Sequence, residues 1–267
     1  FFISNAEGLD AGFNLEFLQQ SMRGIFGSEP AFGGILHAIT GTLMMTLAAT
    51  VISVPVGLLT AIYLVEYGNG ALKKAITFFV DVMTGIPSIV AGLFAYSLFA
   101  VFAGPGTKLG IVGAVALSVL MIPVVVRSSE EMLRLVPNEL REASYALGVP
   151  KWLTVIKVVL RTSIAGVTTG ITLAIARVIG ETAPLLVAVG VTDSMNYNLF
   201  DGRMMSLPVY IISEYEKGAL PCNTDTCIGD ITTYNAWGAA LVLILIVMAL
   251  NLLARLIARY FSPKTGR

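Results

Sequence analysis

Histidine and cysteine are almost missing from this chain, which has one His and two Cys in 267 residues. That is too few for the His and Cys ligand sets of zinc-type sites, so no metal centre is expected. Charge is sparse too: 13% of residues are charged, against roughly 25% in an average globular chain. The net charge of zero gives no sign of nucleic-acid binding. The phosphate-cradling pattern G-x-x-x-x-G-K-[ST] is lacking, so any nucleotide-driven work needs another chain. A membrane-embedded hydrolase would have only His37 to pair with a serine. A polar residue at the end of a span is the plainer reading of His37, and no catalytic residue is expected.

Apolar residues fill the gap, at 56% of the chain, and their runs reach membrane-spanning length. Residues 35–65 carry no Asp, Glu, Lys or Arg for 31 positions, with Pro55 inside. Further spans read at 75–103 (with Asp81 and Pro87), 109–126, 163–189 and 236–261. The expected fold is therefore an all-α polytopic membrane protein with five visible transmembrane helices. Residues 1–34 read as an outside segment and 35–267 as the transmembrane domain. Phe1, Phe2 and Ile3 read either as the tail of an upstream span or as a ragged end.

Basic residues stay on the cytoplasmic side of short loops. One set of loops holds Lys73, Lys74, Arg127, Arg134, Arg141, Lys151, Lys157, Arg161, Arg255, Arg259, Lys264 and Arg267; the other holds only Arg23, Lys108, Arg203 and Lys217. The loop 127–162 and the C-terminus are thus expected inside, and the loop 190–235 outside. Cys222 and Cys227, with four residues between them in that outside loop, are expected to form a disulfide that pins it, the alternative being two free thiols.

Arg177 and Glu181 stand inside the 163–189 run. On a continuous helix their spacing puts them on one face, about 6 Å apart along the axis. A lone Arg at the bilayer centre costs at least about 3 kcal/mol, so it must face a bundle interior, a wet cavity or a partner. Either Arg177 offers its planar fork to a passing oxyanion while Glu181 holds it between visits, or the two form a permanent structural pair. The first reading is preferred. Thr168 and Thr169 lie about two turns earlier and either line that path or allow close packing; packing is the plainer reading. Thr182 and Pro184 mark a kink.

The polar stretch 142–160 is punctuated like a short helix: Pro137 and Asn138 stand at its start, Gly148 and Pro150 at its end. A second, interfacial helix reads over 151–160, from Trp152, Val155, Ile156, Val159 and Leu160 at helical spacing. The stretch resembles the cytoplasmic loop of ABC importer permeases: Glu-Ala-Ala, three residues, Gly, nine residues, Ile, one residue, Leu-Pro. Here Glu142, Ala143, Ser144, Gly148, Val158 and Leu160 take those places, with Ser144, Val158 and Arg161 as departures. The sequences ARVIGETAPLL, GIPSIVAGL (85–93), YLVEYG (63–68) and SLPVYI (206–211) are similar to the phosphate-specific branch, and to its A-type rather than its C-type subunit.

The resemblance implies a type I ABC importer permease fold and a sixth span upstream of Phe1. It implies a multi-pass subunit of a bacterial inner membrane, paired with a C-type permease subunit, two ATPase subunits and a phosphate-binding protein. ATP and magnesium would be bound by the ATPase partners, and this chain would hold no cofactor. Glu142, Ala143, Ser144, Leu147 and Gly148 would couple to the ATPase. A permease for sulfate or molybdate would share the loop and differ near Arg177.

Overall fold

The structure is a computed structural model that describes residues 16–23, 33–219 and 230–261. Cys222 and Cys227 lie outside the described residues. Among those described, all regular secondary structure is helical: α1 (Glu16–Gln19), α2 (Leu36–Ile62), α3 (Gly70–Gly85), α4 (Ser88–Ala103), α5 (Gly110–Arg134), α6 (Asn138–Ala146), α7 (Lys151–Thr154), α8 (Arg161–Ile179), α9 (Ala183–Ala188), α10 (Leu207–Lys217) and α11 (Ile231–Phe261). Lipid cannot hydrogen-bond a backbone, so runs this apolar must satisfy their own amides, and a helix does so within one segment.

Two π-helical segments interrupt the α-helices without breaking them. Tyr63–Tyr67 prolongs α2, and Val155–Leu160 joins α7 to α8. Among the described residues, four helical runs are therefore long and apolar enough to cross a membrane: Leu36–Tyr67, Gly110–Arg134, Lys151–Ile179 and Ile231–Leu253.

Two expectations need correction. The run 75–103 is not one straight helix. Pro87 has no N–H to continue α3, and Ile86 before it is extended (φ −71°, ψ 130°), so α3 and α4 meet at 108°. Nor is 151–160 a separate interfacial helix. No Gly or Pro stands between Lys151 and Gly166, and Val155 and Val159 are buried, so this stretch is the N-terminal part of the α8 span. The 127–162 loop shrinks accordingly to the stretch between Arg134 and Lys151.

The chain divides into two compact units, each drawing on several helices. The first comprises residues 1–49, 87–117 and 179–247. In it, α1 closes the start of α2: Phe17 and Gln20 carbonyls accept from Ile35 N–H (2.9 Å) and Leu36 N–H (3.0 Å), two donors that no helical turn can satisfy. The hydroxyl of Thr42 accepts from Leu207 N–H at 2.8 Å, tying α2 to α10. There α4 packs on α9 with Gly92 against the backbone of Pro184.

The second unit comprises residues 50–86, 118–178 and 248–267. Two apolar clusters hold it. Ala61, Leu133, Val136 and Val159 form one, and Leu64, Val80 and Val126 the other. The first joins the end of α2, the end of α5 and the second π segment in one layer. The short helix α6 is fastened beside that layer.

Candidate functional site

The expected helix at 138–148 is present, and its ends are set by the predicted residues. Pro137 precedes the first turn, and Gly148 adopts φ +73°, a left-handed position that costs a residue with a Cβ. Gly148 N–H donates to Tyr145 O (2.9 Å) and Val149 N–H to Ser144 O (3.2 Å), so two of the helix's last carbonyls are satisfied and the chain turns sharply.

α6 has one inward face. Ser144 is buried and Arg141 largely so, three residues apart, while Glu139, Leu140, Glu142, Ala143, Tyr145, Ala146 and Leu147 are exposed. Four of the five expected coupling residues, Glu142, Ala143, Leu147 and Gly148, therefore stand free of their own chain. Leu147 is 83% exposed beside a half-exposed Leu140 and Tyr145, an apolar surface on a helix that is polar overall. Ser144 differs: its hydroxyl meets that of Thr154, itself buried, at 2.8 Å. It pins α6 to α7 and presents nothing outward.

The pair expected at 177 and 181 is not one helical face. The α8 helix ends at Ile179, and Gly180, Glu181 and Thr182 lie in the break before α9, where Pro184 fits the first turn. The predicted kink is thus a full interruption, and it removes the i,i+4 geometry on which the pairing rested. Among the described residues neither Arg177 nor Glu181 takes part in an ion pair. Arg177 is exposed on the last turn of α8, next to carbonyls with a negative partial charge that favour a cation. Thr162, Thr169, Leu173 and Arg177 are exposed and follow one stripe of the helix. The hydroxyl of Thr168 donates to Ile164 O (2.7 Å) and that of Thr169 to Ala165 O (2.8 Å), so each retains only its lone pairs for an outside group.

Sequence reasoning missed three polar features. Arg127 joins Asp81 of α3 to Glu130, and Arg134 reaches the same buried Glu130, making a four-membered charge chain in the second unit. Arg141 pairs with Glu66 of the first π segment (3.0 Å). In the first unit, Glu214 is 1% exposed and held by Lys217 through one oxygen; its other oxygen, Ser206 Oγ and Tyr210 OH have no hydrogen-bond partner among the described residues. Burial pushes both the Glu214 carboxyl and the Tyr210 phenol up from their ordinary values, and Lys217 only partly offsets this for Glu214. The only advance signal was an acid standing at the end of an apolar run, as Glu66 does after residue 65.

A family described as "Binding-protein-dependent transport system inner membrane component" matches residues 53–267. The chain is 49% identical over 247 residues to the phosphate transport system permease protein PstA 1 of Mycobacterium tuberculosis, covering 92% of this chain and 76% of that one. It is 40% identical over 228 residues to PstA of Yersinia pestis, covering 85% and 73%. Among solved structures, the inward-facing MetNI methionine ABC transporter superposes with a TM-score of 0.63 at 20% identity, covering 86% of this chain and 94% of that one. An amino acid ABC transporter superposes with a TM-score of 0.56 at 18% identity, covering 85% and 92%.

Proposed function

This chain belongs to the family of binding-protein-dependent transport system inner membrane components and has the type I ABC importer permease fold; from that premise we propose that it forms half of the path of an ATP-driven importer for inorganic phosphate. Identity of 38–49% to relatives named as phosphate transport permeases is what carries the choice of phosphate. The geometry that carries the mechanism is α6, a nine-residue helix with one face fastened inward and the rest exposed.

In this reading a C-type permease subunit completes the path, a phosphate-binding protein delivers the anion from outside, and two ATPase subunits bind at the cytoplasmic face. The C-terminus is cytoplasmic. An ATPase subunit receives Leu147, Tyr145 and Leu140 in a cleft, with Glu142 at the rim. The Gly148 turn fixes the angle at which the helix is offered. Closure of the ATPase pair displaces α6, and α6 moves the spans behind it.

Arg177 meets the anion in transit. An exposed guanidinium with no ion pair among the described residues needs a partner in lipid, and the fork of a guanidinium matches phosphate oxygens. Its contact must be weak, because tight binding would trap the anion. Glu181, in the break, lies two residues past the end of the helix that carries Arg177 and is free to answer changes in that charge.

The deciding experiment is uptake by vesicles containing the co-assembled subunits, energised with ATP and supplied with the binding protein. Labelled phosphate should accumulate, and excess sulfate or molybdate should not compete. Competition by either would assign the chain to another oxyanion. Purified alone, the chain should hydrolyse no ATP; activity there would overturn the division of labour.

A further inference from the structure

α6 is joined by backbone to α5 through residues 135–137 and to α7 through residues 147–150, but to α2 by side chains alone. The contact is made by Arg141, which lies 75 positions from Glu66 in sequence. Its Nε donates to Glu66 Oε1 at 3.0 Å, and its Nη2 is also 3.0 Å from that oxygen. Nη1 donates to Val136 O (2.6 Å) and Asn138 Oδ1 (3.2 Å), and Nη2 to Leu133 O (3.1 Å). One guanidinium thus gathers the coupling helix, the end of α5 and the π segment that ends α2. A lysine ammonium cannot span these groups, because they need a planar fork of donors on two sides.

Both side chains are largely removed from water, at 13% exposure for Arg141 and 5% for Glu66. A buried ion pair adds little net stability over apolar residues of the same size, although removing one partner is damaging. Its directional geometry is therefore the property to explain. Glu66 stands in a π segment, a wide turn that recurs where helices are built to yield. The second π segment follows α6 in the chain, and Ser144 and Thr154 link α6 to the short helix that leads into it. Lys151, at the head of that helix, lies 4.9 Å over the ring of Tyr67, the residue after Glu66.

We propose that Arg141 and Glu66 form the joint through which a displacement of α6 reaches α2, with the Tyr63–Tyr67 π segment as the element that takes up the change of angle. Arg141 is a positioning residue: it touches neither the anion nor the nucleotide. A push on the outward face of α6 divides at its inward face. Ser144 sends one part into α8, and Arg141 sends the other into α2. The proposal rests on the reading of α6 as the ATPase contact.

The test uses the complete importer in vesicles, with three readouts: ATPase subunits co-purified, ATP hydrolysis stimulated by phosphate-loaded binding protein, and phosphate moved per ATP. The double variant R141M/E66L removes the charges together and keeps apolar volume in their place. It should still co-purify the ATPase subunits and hydrolyse ATP at the basal rate. Stimulated hydrolysis and uptake should both fall by about tenfold, the scale of a lost coupling contact. R141K, which keeps the charge and loses the fork, should fall between the double variant and the unaltered protein. Unchanged stimulation and uptake in an assembled R141M/E66L importer would overturn the joint. L147D tests the underlying reading separately: it should lose the ATPase subunits, and their retention would reject α6 as the contact whatever the double variant does.

Discussion

At the scale of single residues, Arg177 and Glu214 illustrate two opposite positions for charge. Arg177 is exposed and takes part in no ion pair among the described residues, which leaves its charge to be met by another group. Arg177→Ala should assemble with its partners yet lower phosphate uptake by about tenfold or more, the scale of a lost charged hydrogen bond. Arg177→Lys should recover part of that loss, because charge remains but the fork does not. Normal transport by both would show that the guanidinium is structural. Glu214 is the reverse, an acid almost fully buried beside Lys217. Its folded pKa lies above the unfolded value of 4.5. The native state therefore holds that proton more tightly, and the resulting stabilisation is complete below the unfolded value and lost as pH rises through the folded one. Thermal midpoints of the detergent-solubilised protein should accordingly decline less with rising pH in Glu214→Gln than in the unaltered chain. An equal decline in both would place the pH sensitivity elsewhere.

At the scale of elements, punctuation and continuity had different fates. Pro137, Gly148 and Pro150 marked both ends of α6 in advance, because each acts through its own backbone: one residue that cannot continue a helix and another that takes a left-handed turn without strain. The 151–179 stretch misled for the converse reason. Its amphipathic opening suited a surface helix, and Trp152 and Ile156 are indeed exposed, but Val159 is buried against Ala61, Leu133 and Val136 with Leu160 beside it, and the helix runs on without a break. Pro87 was in view inside the run 75–103, but the 108° bend there was not read from it, since the angle depends on what α3 and α4 pack against. For α4 that neighbour is α9. A Cβ added at Gly92 would stand 2.6 Å from Pro184 Cα, whereas one at Gly85 meets nothing within 4 Å. Gly92→Ala should therefore cost about 1–3 kcal/mol by overpacking, seen as a lowered unfolding midpoint, while Gly85→Ala should leave the midpoint nearly unchanged. Equal effects would argue that helix propensity, not the contact, governs both.

At the scale of the whole molecule, the two units share their longest helices. Residues 36–49 of α2 belong to the first unit and the remainder to the second, and α5 and α11 are divided likewise. The sequence by itself determined that this chain crosses a membrane, where its apolar runs lie, where α6 begins and ends, and which family it resembles. Those properties follow from hydrophobicity and backbone chemistry that each segment carries alone. Only the tertiary structure decided that Ser144 turns inward, that Arg177 and Glu181 are separated by a helix end, and that Arg141 finds Glu66. The reason is that a side chain's partner depends on which segments fold against one another, and local sequence records the propensity of each segment but not its neighbours.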